Sequence, residues 1–243
     1  MAPVMQVEIW SDVVCPWCYI GKRRFERAVD ELRGEVEVHA VYRPFQLDPR
    51  AAPGTSMPVV EAYARKFGGP DEAAAIIDRV SRLAAQEGLE FRLDRALRAN
   101  TLLAHRLLWL AERPDSPVVQ ERMKERLLRA YFTDGLDIGD PDVLAELAAE
   151  VGFDRARVEQ FLGGDEGAAA VRASLEEAVE HGITAVPTYV IDGRWAVPGA
   201  QDTDVFVQVI RRLVANAADA AAAGDVDTTS ETAGACTDDI CSA

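Results

Sequence analysis

The chain has 243 residues, 26 Lys and Arg against 41 Asp and Glu, a formal net charge of −15, and four cysteines. With 49% apolar and 28% charged residues it is long and apolar enough to bury a core, as one large domain or two small ones, so a disulfide-stapled mini-protein is excluded. The acidic balance also argues against a binder of phosphate backbones, which needs clustered Lys and Arg. No apolar run approaches the ~20 residues of a bilayer span. The N-terminus lacks a basic stretch and soon meets Glu8 and Asp12. The expectation is a soluble, cytoplasmic protein without membrane or nucleic-acid partners, in a compartment that keeps most thiols reduced. The cysteines form two close pairs, Cys15/Cys18 and Cys236/Cys241, which such a compartment does not use as passive staples.

Residues 5–10 read as a strand, with Val7 and Ile9 at period two. A helix follows over 19–32, carrying Ile20, Phe25, Ala28, Val29 and Leu32, and Gly34 is the expected left-handed stop. Val36, Val38, Ala40 and Tyr42 alternate in a second strand that ends at Arg43-Pro44. Pro49, Pro53, Gly54 and Pro58 mark a boundary near residue 50. Amphipathic segments then succeed one another over 59–67, 71–87, 99–112, 117–132, 141–151 and 154–162, with no strand candidate among them. Ser116-Pro117 and Asp140-Pro141 each fit a cap followed by proline at the first helical position.

A helix is expected over 165–181, then a strand ending at Ile191 with Pro187 at its start. Asp192-Gly193 predicts a hairpin turn, with a partner strand over 194–197 and a last helix over 202–217. Beyond Ala218 the chain holds six acids and no base, a composition too polar to bury. The organisation is a thioredoxin-like α/β unit in two parts, 1–50 and 166–217. A helical insert over 51–165 separates them, and an acidic tail over 218–243 carries the second cysteine pair.

Cys15-Pro16-Trp17-Cys18 stands where a strand hands over to a helix. Proline at the first helical position makes Cys15 the N-cap and puts Cys18 in the first turn, on the same face. The free N–H groups favour thiolate at Cys15, the exposed nucleophile, with Cys18 the more buried resolving thiol. Half a zinc site and a pair of inert core cysteines are the competing readings.

Ser11-Asp-Val-Val-Cys-Pro-Trp-Cys-Tyr-Ile-Gly21, Arg43-Pro-Phe-Gln-Leu-Asp-Pro49, Asn100-Thr-Leu-Leu-Ala-His-Arg-Leu107 and Val186-Pro-Thr188 together resemble the DsbA family, and within it the FrnE-like cytosolic branch, over about residues 5–215. The resemblance implies a thioredoxin-like fold with a large helical insertion and protein disulfide oxidoreductase or isomerase activity, with Cys15 attacking. It further implies a cis Val186–Pro187 bond facing the cysteines. DsbA has histidine where this chain has Trp17. The thiolate loses a charge partner, so a less depressed Cys15 pKa is expected, with a potential below DsbA's ~−120 mV and nearer thioredoxin's ~−270 mV. Trp17 either grips substrate or packs on the insert.

Protein or peptide disulfides, glutathione or a thioredoxin-type reductant are the implied partners, and no cofactor is implied. Cys236 and Cys241 read as a second dithiol exchanging with the first, as a contribution to a Cys₄ zinc site, or as idle. FrnE-like proteins with such a pair support the exchange. Phe45, Trp109, Tyr131 and Phe132 are expected to shape an apolar substrate surface. His39, His105 and His181 read as structural, and Glu8 as a solvated strand residue. Two other functions share these features: a kappa-type glutathione-dependent isomerase or transferase, whose first cysteine position is usually serine, and a redox-sensing holdase.

Overall fold

The computed structural model describes residues 2–224, with side chains through Asp219. Strand β1 (Val4–Ser11) leads into helix α1 (Pro16–Glu31), and β2 (Glu37–Pro44) returns parallel to β1. Gly34, at φ +88°, supplies the turn between them. The insert holds β3 (Met57–Pro58), α2 (Val59–Phe67), α3 (Pro70–Gln86), β4 (Leu97–Arg98), α4 (Leu102–Glu112) and α5 (Gln120–Arg129). It ends with α6 (Pro141–Val151) and α7 (Arg155–Gly163). The chain comes back through α8 (Ala168–Glu180) to the hairpin β5 (Thr188–Ile191) and β6 (Trp195–Pro198), and ends in α9 (Thr203–Gly224).

The sheet order is β2-β1-β5-β6, with β5 antiparallel to β1 and β6 antiparallel to β5. This is the thioredoxin-like sheet with a helical insertion that the sequence predicts. Asp192 and Gly193 both take positive φ, 49° and 64°, closing the hairpin as their residue types require.

Two cores meet along α1. Its later residues Phe25 and Ala28, with Leu32 just past its end, pack with Val7, Ile9, Tyr189 and Phe206 against the sheet. Its first turn sends Tyr19 and Ile20 into the core of the insert, among Leu107, Met123, Phe132 and Phe161. The N-terminus of α1 therefore lies at the seam between sheet and insert.

Three expectations change. The insert is not strand-free: Met57–Pro58 pairs with Leu97–Arg98, a ladder too short for any period-two pattern to reveal. Ser116 does not cap a helix; its hydroxyl donates to the Val118 carbonyl at 2.7 Å, and α5 begins only at Gln120. Asp140, by contrast, accepts from the Asp142 and Val143 N–H groups and caps α6 as expected. Helix α9 continues through Ala218 to Gly224, because a run of alanines has high helical propensity whatever its lack of a core-facing stripe. Cys236 and Cys241 lie outside the described residues.

Candidate active site

Cys15 is the N-cap of α1 and Pro16 its opening residue; the Cys15 carbonyl accepts from the N–H groups of Cys18 (3.1 Å) and Tyr19 (3.4 Å). The Val186–Pro187 peptide is cis, and Cys15 Sγ donates to the Val186 carbonyl at 3.6 Å. Cys15, Cys18, Val186 and Pro187 are thus brought to one place, where β1 meets α1 and the segment entering β5 closes over them. Both cysteines are free thiols.

Cys15 is not the exposed sulfur of the pair: both cysteines are 3% exposed. The segment at Val186 covers Cys15, a tertiary contact invisible in the local motif. Nor is the charge where the helix dipole alone would put it. The hydrogen bond with Cys18, followed by burial, pushes the Cys15 thiol well above its ordinary value. Burial also opposes ionisation of Cys18, but the hydrogen bond from Cys15 and the nearby Lys124 ammonium outweigh it and bring Cys18 down. Of the two thiols, Cys18 is therefore the more readily ionised, favoured by Lys124.

Beneath the cysteines lies a buried polar group. Asp12 accepts from the Val13 and Leu47 N–H groups, each at 2.8 Å, and faces His105 Nε2 at 3.2 Å. The same nitrogen meets the Phe45 carbonyl at 3.0 Å, so His105 ties the site to α4. Glu8 is engaged in an ion pair with Arg43 at 2.8 Å. His39 is exposed beside Glu37, and His181 stands edge-on to Trp10 at the end of α8.

Trp17 is 40% exposed. Near it a cleft of about 500 Å³ runs along Val14 and Pro16, walled by Leu47, Tyr63, Phe67 and Tyr131 and edged by Arg50, Arg65, Lys66 and Arg98. Of the four aromatics expected to shape a substrate surface, only Tyr131 lines this cleft. Phe132 is a core residue, Phe45 packs beside Trp10, and Trp109 stacks on Phe161. Tyr63 and Phe67 take their place, on a helix whose apolar stripe reads as ordinary core-facing periodicity. A larger cleft of about 880 Å³, between α4, α8 and the end of β2, contains neither cysteine. Among the described residues no group of three or more His, Cys, Asp or Glu side chains is placed to hold a metal ion. Among them, too, no helix is long and apolar enough to cross a membrane.

The model of the DSBA-like thioredoxin domain matches residues 6–211. The chain belongs to this family. The Bacillus subtilis protein YwbO is 31% identical over 208 residues, covering 85% of this chain and 96% of its own. The "probable DsbA oxidoreductase" of Streptomyces coelicolor superposes with a TM-score of 0.78 at 38% identity, over 86% of this chain and 89% of that one. The cytosolic disulfide reductase DsbM of Pseudomonas aeruginosa, solved with glutathione, shares the fold: TM-score 0.56, 19% identity, 86% and 98% coverage. Membership of the DsbA family supports a redox enzyme in the broad sense.

Proposed function

We propose that this DsbA-family chain is a thiol–disulfide oxidoreductase or isomerase acting through Cys15-Pro16-Trp17-Cys18 on protein or small-molecule disulfides. One arrangement carries the reading: a thiol pair at a helix N-terminus, with Cys15 Sγ held 3.6 Å from the Val186 carbonyl and Val14 and Pro16 opening onto a cleft. As Cys15 swings from Val186 toward the cleft, its proton passes to Cys18. The Cys15 thiolate attacks one substrate sulfur; the Cys15–substrate bond forms, the substrate disulfide breaks, and the second sulfur leaves as a thiolate that water protonates. Cys18 then gives its proton to the departing substrate sulfur as it attacks Cys15 Sγ. The Cys15–Cys18 disulfide forms, and the first substrate sulfur leaves. The substrate has gained two electrons and the dithiol has lost two.

The Val186 carbonyl, free once Cys15 has moved, is an acceptor for a substrate backbone N–H. Trp17 offers an apolar face beside it. The basic edge of the cleft suits anionic thiols, so glutathione is a fitting reductant, with a thioredoxin-type protein the other; the site of action is the cytoplasm. Cys236 and Cys241 serve as a second dithiol exchanging with the first. A chain ending at Gly224 keeps α9 whole, and turnover equal to full length would remove that role. Insulin reduction and scrambled-ribonuclease refolding test the main reading. Both are expected to be lost in Cys15→Ser, and activity kept by that variant ends it.

A further inference from the structure

Among 26 basic residues the chain has only three lysines, Lys22, Lys66 and Lys124. Lys124 is placed unlike the other two. It projects from α5 into the seam below α1 and is 0% exposed. Among the described residues its Nζ has no hydrogen-bond partner, and it lies over the Tyr42 ring, 5.4 Å from the centroid. A buried ammonium with no hydrogen bond is costly, and a fold retains one where a nearby charge compensates it. The structural salt bridges of this region belong to another lysine: Lys22 is held by Glu26 and Glu125.

The groups that act most strongly on Lys124 come from α1, the loop before it and β2. From the first turn of α1 come Cys18 and Cys15, from the loop before it Asp12, from farther along α1 Lys22, and from β2 the Tyr42 ring. Asp12 is already engaged by two backbone N–H groups and His105. The dithiol, together with Asp12, is what stands to balance the ammonium.

We propose that Lys124 is a positioning residue for the dithiol, a buried counter-charge from the helical insert that draws the thiolate onto Cys18 and gives up its own proton when Cys15 and Cys18 become a disulfide. The inference rests on the Cys15/Cys18 reading above. Burial lowers Lys124 to about 8, against the opposing pull of Cys18, Asp12 and Cys15. Oxidation removes the sulfur charge, so the lysine titrates lower still. Reduction of the disulfide by an external thiol then brings two electrons to the sulfurs, and above the titration midpoint a proton from water to Lys124. The insert, and not the thioredoxin-like unit alone, thereby sets the acidity of the pair.

Three lysines make the test direct. Full-length protein labelled with ¹³C at lysine Cε gives three signals to follow against pH, in the reduced protein and after oxidation by oxidised glutathione. One signal is expected to titrate near 8 in the reduced form, lower in the oxidised form, and to vanish in Lys124→Met. Should that variant not fold, Lys22→Arg and Lys66→Arg assign the signal by elimination. In a Cys236→Ser/Cys241→Ser background, Lys124→Met is expected to raise the thiolate midpoint at 240 nm by about one unit, a tenfold change. Three lysines titrating above 10 in both redox states, or an unmoved thiolate midpoint in a folded Lys124→Met, overturns the proposal. Neither result touches the dithiol reading, which instead fails if Cys15→Ser keeps turnover.

Discussion

Replacing Gly21 with alanine tests how tightly α1 is fitted to the segment that faces the cysteines. A Cβ there would lie 2.7 Å from the Tyr189 hydroxyl, 3.2 Å from Ala200 Cβ and 3.2 Å from Pro187 Cγ. Tyr189 cannot withdraw: it is fully buried, with its ring 5.1 Å from Phe25 and 4.7 Å from Phe206. Overpacking of this kind costs about 1–3 kcal/mol, offset by about 0.5–1 kcal/mol of helical propensity gained over glycine. The net loss is about 1–2 kcal/mol, and at about 2–4 °C per kcal/mol for a chain of this size the Tm falls by about 2–8 °C. Turnover should fall severalfold as well, because the displaced Pro187 ring carries the Val186 carbonyl away from Cys15. Thermal melting by circular dichroism and insulin reduction on the same sample measure both. A Gly21→Ala protein melting at or above the wild-type temperature refutes the packing argument.

Trp17→Ala should leave the Tm within about 2 °C, as exposed positions do, while raising KM for a peptide disulfide severalfold; unchanged KM would free Trp17 of any role in gripping substrate. Arg106 donates to the carbonyls of Phe161 (2.7 Å), Gly164 (2.9 Å), Glu166 (3.0 Å) and Leu162 (3.4 Å). Arg106→Met removes these four bonds and should cost about 2–4 kcal/mol in urea unfolding; an unchanged midpoint contradicts this. Lys124 falls from 10.5 to about 8 in the reduced fold, so between those values the unfolded chain binds more protons and wild-type stability gains with pH. Lys124→Met should therefore be the more stable protein at pH 7, by about 3 kcal/mol at most. Its advantage should shrink as pH rises from about 8 to 10, and a gap independent of pH sinks the assignment. In glutathione buffers the Cys15/Cys18 potential should lie below ~−120 mV; a value at or above it rejects the argument from Trp17.

Local signals in the sequence carried the architecture. Alternation marked β1 and β2, Asp192-Gly193 marked the hairpin, and a Cys-x-x-Cys at a strand-to-helix junction marked the site. What the sequence hid is what depends on distant segments meeting. Lys124 sits in a helix among Glu121, Arg122 and Glu125, where a lysine reads as one more solvated charge; only the packing of α5 against β2 and beside α1 buries it. Asp12 and His105 are equally silent until the loop before α1 and the start of α4 come together. The burial of Cys15 has the same origin, since its cover comes from Val186 at the far end of the chain.

Cys15 is the sulfur proposed to join to substrate. Full-length Cys18→Ser protein, mixed with oxidised insulin fragments or oxidised glutathione and mapped by peptide mass spectrometry, tests it most directly. A mixed disulfide is expected to accumulate on Cys15 and to disappear when Cys15 is also replaced by serine. An adduct found only on Cys236 or Cys241, with Cys15 unmodified in folded protein, would contradict it.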